Sequence, residues 1–467
     1  MPLNVTICGC RLYFLPVKTR VPYQFGLETM SEVMCARVCI TVRNSDGRQA
    51  EGWGETPLSV GWVWPGALSF REREDALLAF SRQLAAGWSG YRQAGHPLEI
   101  GHAFLEEQLP DLRTRFNATR AAGSQMPWLA ALVCSSAFDL ALYDAYGRLA
   151  GRPVYETLGP EFLARDLSTF LEPATDLAGQ VSFVGKYPAD YLSPRQDWLP
   201  AWHSVGGLDP LDESALNGRE PADGYPVELG GWIVRDGLRC LKVKLKGEDA
   251  EWDYQRLTKI ARIGRERGVR WLCADYNCTA PDVAYVTDML DRLLRDDPAT
   301  HAMLLYVEQP FPYELEEHPI AVHAIAARKP LFMDESAHDW RHVRRGRELG
   351  WTNVALKTCK TQTVALLSLC WARAHGMTLM VQDLTNPMLA MIPHALLAAH
   401  AGTVMGLESN APQYYPDASL PEAAVHPGVY ARKNGLIDLS TVRGPGFGYR
   451  LDEITRTLPA PVEAFTA

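Results

Sequence analysis

The sequence predicts an α/β protein in which a closed parallel (β/α) barrel follows a smaller α+β unit, and three observations predict it. From Arg239 onward, short apolar and often β-branched runs alternate with helical segments, as repeated βα units do. Seven of these runs carry a charged residue at or near their ends: Lys244, Asp275, Glu308, Asp334, Lys357, Asp383 and Glu408. The steps between them, 23 to 33 residues, suit one strand, one helix and two loops each. Ahead of this region the apolar period is first that of strands and then that of helices.

Composition bounds the function classes. The 467 residues are 47% apolar and 22% charged, close to globular averages, which excludes a disordered or fibrous chain. The 46 Lys and Arg against 55 Asp and Glu give a net charge of −9 without a basic block, so neither a nucleic-acid partner nor an anionic membrane surface is expected. The longest mainly apolar stretches, Trp128 to Cys134 and Met388 to Ala399, fall short of the ~18 to 20 residues that span a bilayer. The start MPLNVTICGCRLYF lacks the charged and long apolar regions of a signal peptide, and ten scattered cysteines form no CxxC pair. These features predict a cytoplasmic protein with reduced thiols.

Taken in order, VTICGCRLYFLPV, MCARVCITVR and EGWGE read as an antiparallel meander with a turn at Asn44 to Gly47. From Arg71 to about Leu158 the period is helical, and Phe138, Leu142, Tyr146 and Leu149 mark one face of a helix stopped by Gly151 and Pro153. Residues 1–160 are therefore read as one α+β unit. The barrel, 161–410, has LRCLKVKLK, VRWLCADYN, MLLYVEQP, PLFMDES, TNVALKT, MTLMVQD and GTVMGLE as strands. RDLSTFLEP near 165 to 173 supplies the eighth, the number that closes the ring. A Pro-, Gly- and aromatic-rich insertion at about 181–226 reads as a lid, a surface ornament or an oligomer contact. Residues 411–467 are expected to return to the first unit.

In such a barrel the carboxyl ends of all strands meet at one face, so the charged residues converge there. Asp275, Glu308 and Asp334, on three consecutive strands, place three hard oxygen donors within reach of one cation, for which octahedral Mg²⁺ is suited. Lys244 and Lys357 flank that trio in the strand order. With a lowered pKa either amine can act as a base, and a bound divalent ion makes the α-proton of a carboxylate removable. Lys242, on the same strand face as Lys244, adds positive charge beside the base. The apolar frame Leu241, Val243 and Leu245 then faces outward.

The order K-V-K (242 to 244), D-Y-N (275 to 277), E-Q-P (308 to 310), D-E-S (334 to 336) and L-K-T-C-K (356 to 360) resembles the enolase superfamily. Within it the pattern resembles the muconate-lactonizing-enzyme subgroup, with its cycloisomerases, o-succinylbenzoate synthases, N-acylamino-acid racemases and dipeptide epimerases. GWGE at 52 to 55, FDLALYDAYGRLAGRPVYETLG and the closing GPGFGY extend the likeness over nearly the whole chain. The resemblance implies a modified (β/α)7β barrel, a capping domain completed by the C-terminal segment, and a homo-oligomer.

Carried to this sequence, the resemblance implies metal ligation by Asp275, Glu308 and Asp334 and acid/base roles for Lys244 and Lys357, assisted by Lys242. Asn277 would sit at the edge of the metal site. Asp383 and Glu408 are candidates for substrate contacts, or equally for a helix cap or an ion pair with a lysine. The two cap loops would lie near Thr19 to Met30 and Thr56 to Gly66, where Tyr23, Phe25, Trp62 and Trp64 suggest an apolar or aromatic substrate portion. The sequence also departs from the pattern: Gln362 and Thr363 replace the usual glycine pair, and no His ends the seventh strand. His375 and His394 read as structural.

The expected function is Mg²⁺-dependent removal of the α-proton of a small carboxylate substrate through an enolate, in a racemase or epimerase of amino-acid derivatives or dipeptides. The alternatives are a dehydratase, an o-succinylbenzoate-synthase-like or a muconate-cycloisomerase-like enzyme of the same superfamily. Less favoured are a non-catalytic barrel that binds a partner and a Schiff-base aldolase using Lys357 or Lys244.

Overall fold

The computed structural model describes residues 3–466. Three strands, β1 (Val5–Phe25), β2 (Glu28–Asn44) and β3 (Gln49–Pro57), form the meander the alternation predicts. The turn lies where expected, with Gly47 N donating to Asn44 O at 3.1 Å and Arg48 N to the Asn44 side chain at 2.9 Å. β1 and β2 run on through Tyr23 and Phe25, so the first expected cap loop is the tip of one long hairpin. The second holds a short helix, Val60–Val63.

One face of this sheet packs on the helix Trp128–Ala150, and the G-x-G of GWGE sets how closely. A Cβ on Gly52 would stand 1.9 Å from Ala145 N, and one on Gly54 2.2 Å from Ala137 O, so only glycine admits the helix backbone there. That helix corrects one expectation from sequence: at 23 residues it is long and apolar enough to cross a bilayer. The reading from Trp128 to Cys134 stopped at its first polar residues, Ser135 and Ser136. Its most apolar 18-residue window is 94% buried inside the protein, however, so its apolar surface is already covered. Its polar side chains join it to other segments. Asp144 accepts from Trp53 N at 2.9 Å and Phe447 N at 2.8 Å, and Ser136 donates to Thr358 O at 2.7 Å.

Eight parallel strands close the barrel: β4 (Trp198–Val205), β5 (Cys240–Lys244), β6 (Trp271–Asp275), β7 (Leu304–Glu308), β8 (Leu331–Met333), β9 (Asn353–Leu356), β10 (Thr378–Val381) and β11 (Leu407–Glu408). Pairing of β11 with β4 shuts the ring. A short β12 (Leu436–Asp438) runs antiparallel to the start of β4, and β13 (Glu463–Thr466) pairs antiparallel with β1 at the outer edge of the cap sheet.

The first barrel strand is not RDLSTFLEP. There Asp166 accepts from Ser168 N at 3.1 Å and nucleates a 3-10 turn, Leu167–Thr169. The strand is WLPAWHSV, inside the stretch read as an insertion. It escapes a search for charged strand ends because it runs into Gly206 and Gly207, and Pro200 argues against a central strand. Pro200 is tolerated because it lies on the part paired with β12, before the parallel register with β5 begins at Trp202. What remains of the insertion is a loop, 206–228, tied to the cap hairpin by Arg20, which donates to Asp223 at 2.8 and 2.7 Å.

Side chains alternate along the strands, so the barrel interior is layered. Trp202, Cys240, Cys273, Tyr306, Phe332 and Met380 form an apolar plug. Two residues further along the same strands stand Ser204, Lys242, Asp275, Glu308, Asp334 and Gln382, every one buried. Leu241, Val243 and Leu245 point the other way, into the core between strands and helices.

Two predictions follow from the joints between helix and sheet. Gly54→Ala should lower unfolding stability by about 3 kcal/mol, as overpacking against backbone does, read as a drop in the urea midpoint. Burial pushes the Asp139 carboxyl up to about 7, although it accepts from Thr363 N at 2.9 Å and Thr363 Oγ1 at 2.8 Å. The folded state therefore holds a proton there that the unfolded chain has released. This contribution to stability falls as pH rises from about 4 to 7. Asp139→Asn should flatten the pH dependence of the denaturation midpoint over that interval, and an unchanged slope would exclude this assignment.

Candidate active site

Each charged residue of the site owes its place to strand period and closure. Lys244 ends β5 and Asp275 ends β6 in direct register; Glu308 ends β7; Asp334 and Lys357 follow β8 and β9 by one residue. β5 and β9 stand four strands apart in a ring of eight, so Lys244 and Lys357 lie on opposite walls. The arc β6 to β8 between them carries the three acids. All five side chains are buried.

The structure pairs the acids with the amines. Lys244 Nζ lies 2.5 Å from Asp275, and Lys242 Nζ lies 3.2 Å from Asp275, 2.6 Å from Glu308 and 3.1 Å from Glu408. Lys357 Nζ lies 3.0 Å from Asp334 and donates to the Asp383 carbonyl at 2.9 Å. Among the described residues no group of three His, Cys, Asp or Glu is arranged to hold a metal ion as it stands. Ammonium groups take up the carboxylate oxygens instead.

With the acids paired to the amines, the lysine pKa values stand opposite to those expected beside a bound cation. Burial alone would lower Lys242, Lys244 and Lys357, but their carboxylate neighbours outweigh it and hold all three above the ordinary lysine value. Lys360, whose closest carboxylate oxygen is Asp334 Oδ1 at 3.9 Å, is held below it by burial. The acids split in the same way. Against the cost of burial, Lys244 and Lys242 draw Asp275 down to about 2, and Lys242, Lys244 and Lys357 draw Glu408 down to about 2. Glu308 is pushed well above its usual range by burial and by Asp275. Burial, Asp334 and Asp275 push Glu335 up to about 7.

The remaining expected residues divide between the site and its framework. Asn277 N donates to Asp275 at 2.9 Å, and its amide to Glu335 at 3.0 Å. Tyr23, Phe25 and Trp62 line a small pocket at the barrel mouth together with Lys242, Lys244, Asp334, Lys357, Asp383 and Glu408. Trp62 Nε1 donates to Glu335 at 2.9 Å, and Lys357 Nζ sits 4.8 Å from its ring centre. Tyr23 shares a 2.9 Å hydrogen bond with Ser204. Trp64 packs within the cap, under Arg120. The Asp383 carboxylate accepts from Asn386 N and Asn410 N, both at 2.7 Å, and so braces two loops. Glu408 pairs with Lys242, as the ion-pair alternative has it. His375 accepts from Ala174 N at 2.9 Å, and His394 Nε2 bonds the Glu408 carbonyl at 2.9 Å. The loop 206–228 contributes nothing to this pocket. It lines a separate cleft of about 940 Å³ outside β4.

Sequence reasoning missed four residues. Gln382 accepts from Lys242 at 3.1 Å and donates to Glu308 at 2.5 Å, fixing both. Gln309 accepts from Asp334 N at 2.8 Å and Ser336 N at 3.2 Å, which shapes the turn after β8. Glu335 and the buried Lys360 complete the charge set. Each stands beside or three residues from a residue that was singled out, and a search for inward positions beyond the strand ends would have found them. Gln362 and Thr363, in place of the glycine pair, serve the cap joint: Gln362 donates to Tyr155 Oη at 3.0 Å and Thr363 binds Asp139.

At the barrel mouth six buried carboxylates (Asp275, Glu308, Asp334, Glu335, Asp383, Glu408) face four buried ammoniums (Lys242, Lys244, Lys357, Lys360). Asp334 Oδ1 has no hydrogen-bond partner. Hard oxygen donors, an excess of carboxylates over ammoniums and an open lone pair on Asp334 fit a hard divalent ion.

Residues 227–455 match the sequence model of the family described as enolase C-terminal domain-like. No curated protein matches the chain. Among solved structures, the chain is similar to an N-succinyl Arg/Lys racemase from Bacillus cereus, with 16% identity over 99% of this chain and 100% of that one and a TM-score of 0.61. It is similar to a dipeptide epimerase from Cytophaga hutchinsonii complexed with Mg and D-Ala-L-Val, with 20% identity over 88% of each chain and a TM-score of 0.56. A muconate lactonizing enzyme from Pseudomonas fluorescens shares 16% identity over 95% of each chain, with a TM-score of 0.59. At these identities the structures show a shared fold. The segment 227–455 belongs to the family described as enolase C-terminal domain-like, and the whole chain has the fold these structures share.

Proposed function

We propose that this chain is a Mg²⁺-dependent isomerase that removes and returns the α-proton of a small carboxylate substrate, as a racemase or epimerase of amino-acid derivatives or dipeptides. The observation that carries this reading is the position of Lys244 and Lys357 on opposite walls of one ring, with three acids on the arc between them. A single amine suffices to remove a proton; inversion at carbon needs a second on the other side. The dipeptide epimerase and the racemase among the similar structures support the same reading.

Asp275, Glu308 and Asp334 would hold the cation, through the oxygens that now accept from Lys242, Lys244 and Lys357. A hard divalent cation held there would supply charge stabilisation at the substrate carboxylate. With Asp275 and Asp334 so engaged, Lys244 and Lys357 would lose their strongest partners, and burial would then act on them as it does on Lys360, whose pKa it lowers. One amine takes the proton at Cα and the other delivers one to the opposite face. Lys242, held by Glu308, Gln382 and Glu408, stays charged and keeps the field at Lys244 positive. Trp62 and Tyr23 of the cap close the mouth and limit water at Cα.

Incubation of dipeptides and N-acylamino acids with Mg²⁺ in deuterium oxide should give epimerised product carrying deuterium at Cα, read by NMR. Loss of water or ring closure would assign elimination or cycloisomerisation instead. Lys244→Ala and Lys357→Ala should each lower turnover by roughly 10²- to 10⁴-fold without altering the circular dichroism. Wild-type turnover in either variant would remove that residue from its role. Lys242→Met strips three buried carboxylates of a partner and should cost about 3 to 5 kcal/mol in metal-free protein. Added Mg²⁺ should then raise the melting temperature of this variant more than that of the wild type.

A further inference from the structure

We infer that the cleft beside the lysines is a subsite for a cation, so that the substrate carries an ammonium or guanidinium group away from its reacting carboxylate. This inference rests on the barrel mouth being the reaction site. The cleft, about 1220 Å³ with its opening to solvent, lies between the tip of the cap hairpin and the loops after β6 and β7. Phe25 and Trp62 line both this cleft and the pocket of Lys244 and Lys357, so one ligand can occupy the two together.

Its charged lining is of one sign. Glu28, Glu314 and Glu335 line it together with one histidine, His318, and no Lys or Arg does. Glu28 is engaged by Arg73 at 3.0 Å, whereas Glu314 forms no ion pair among the described residues. Glu335 is the decisive group. It is 3% exposed, with Oε1 accepting from Trp62 Nε1 at 2.9 Å and from Asn277 Nδ2 at 3.0 Å. Those two donors fix the carboxylate, and they leave Oε2 without a partner. A buried carboxylate oxygen without a donor is costly, and the group that relieves it most is a charged N–H donor. The aromatic walls, Phe25, Trp62 and Tyr313, present faces that attract the same kind of group. An anionic ligand would meet three carboxylates, and a purely apolar one would leave Glu335 Oε2 unsatisfied. The aromatic residues thus suit the flanks of a charged side chain as well as the apolar portion read from sequence.

The test uses the Mg²⁺-loaded protein, with solvent deuterium exchange measured on L-Ala-L-Arg, L-Ala-L-Leu and L-Ala-L-Glu. The Arg dipeptide should exceed the Leu dipeptide at least tenfold in kcat/KM, and the Glu dipeptide should be poorest. Glu314→Gln and Glu335→Gln should each narrow the Arg-to-Leu ratio, mainly through KM, and Glu314→Lys should reverse the order of Arg and Glu. Separately, n-butylguanidinium binding is followed by calorimetry, and Glu314→Gln should weaken it severalfold. If that binding and its loss are seen while no dipeptide exchanges, the cation subsite stands and the proposed reaction falls. Absence of n-butylguanidinium binding, or an Arg-to-Leu ratio unchanged in both Gln variants, would overturn the subsite. So would a weakened affinity for Mg²⁺ itself in Glu335→Gln, which would assign that oxygen to the metal.

Discussion

Burial of charge at the mouth of a closed barrel is the constraint on which the rest depends. The two-residue period of the strands lifts the interior from an apolar plug at Tyr306 and Phe332 to a charged layer at Glu308 and Asp334 within one step. In that layer no side chain reaches bulk water, so each carboxylate must be answered by an amine, an amide or a cation. Lys242 answers three of them at once, and Gln382 holds both Lys242 and Glu308 in place. Burial first, and then the neighbouring carboxylates, raises Glu308 and Glu335 toward the neutral form.

The cap does two separate jobs with separate residues. Its helix Trp128–Ala150 grips the barrel through Ser136 and Asp139, which bind the backbone and side chain of the segment 358 to 363 just after Lys357. The joint therefore positions the start of the very segment that carries one of the two amines. Its hairpin tip and the turn at Trp62 reach over the mouth, and Trp62 touches the site twice, through its N–H on Glu335 and its ring beside Lys357. Substrate shape and site charge are thus set partly by the same side chain, which links the orientation of Glu335 to closure of the cap.

Most of the architecture was legible because it repeats. Seven strand ends with charges at regular spacing located seven of the eight barrel strands, and the G-x-G of GWGE anticipated a close helix contact it did not name. The strand Trp198–Val205 was hidden by Pro200 and by the absence of a charge at its end. The residues Gln382, Gln309 and Glu335 were hidden for a different reason: amides and a second acid in D-E-S have no distinctive spacing, and only their partners give them meaning.

Chain order alone determined which residues sit at strand ends and therefore which could meet, because strand period and right-handed βα repetition are local properties. It determined that acids occupy three consecutive positions and amines the positions on either side. Only the tertiary structure decided that the two amines face each other across the ring, since closure of β11 onto β4 is a contact between residues about two hundred apart. It also decided which oxygen of Glu335 is held and which is free, because that depends on Trp62 and Asn277 arriving from two different elements. Burial makes the difference: the same acids on an open strand end would be solvated individually, and would carry no mutual energetic consequence.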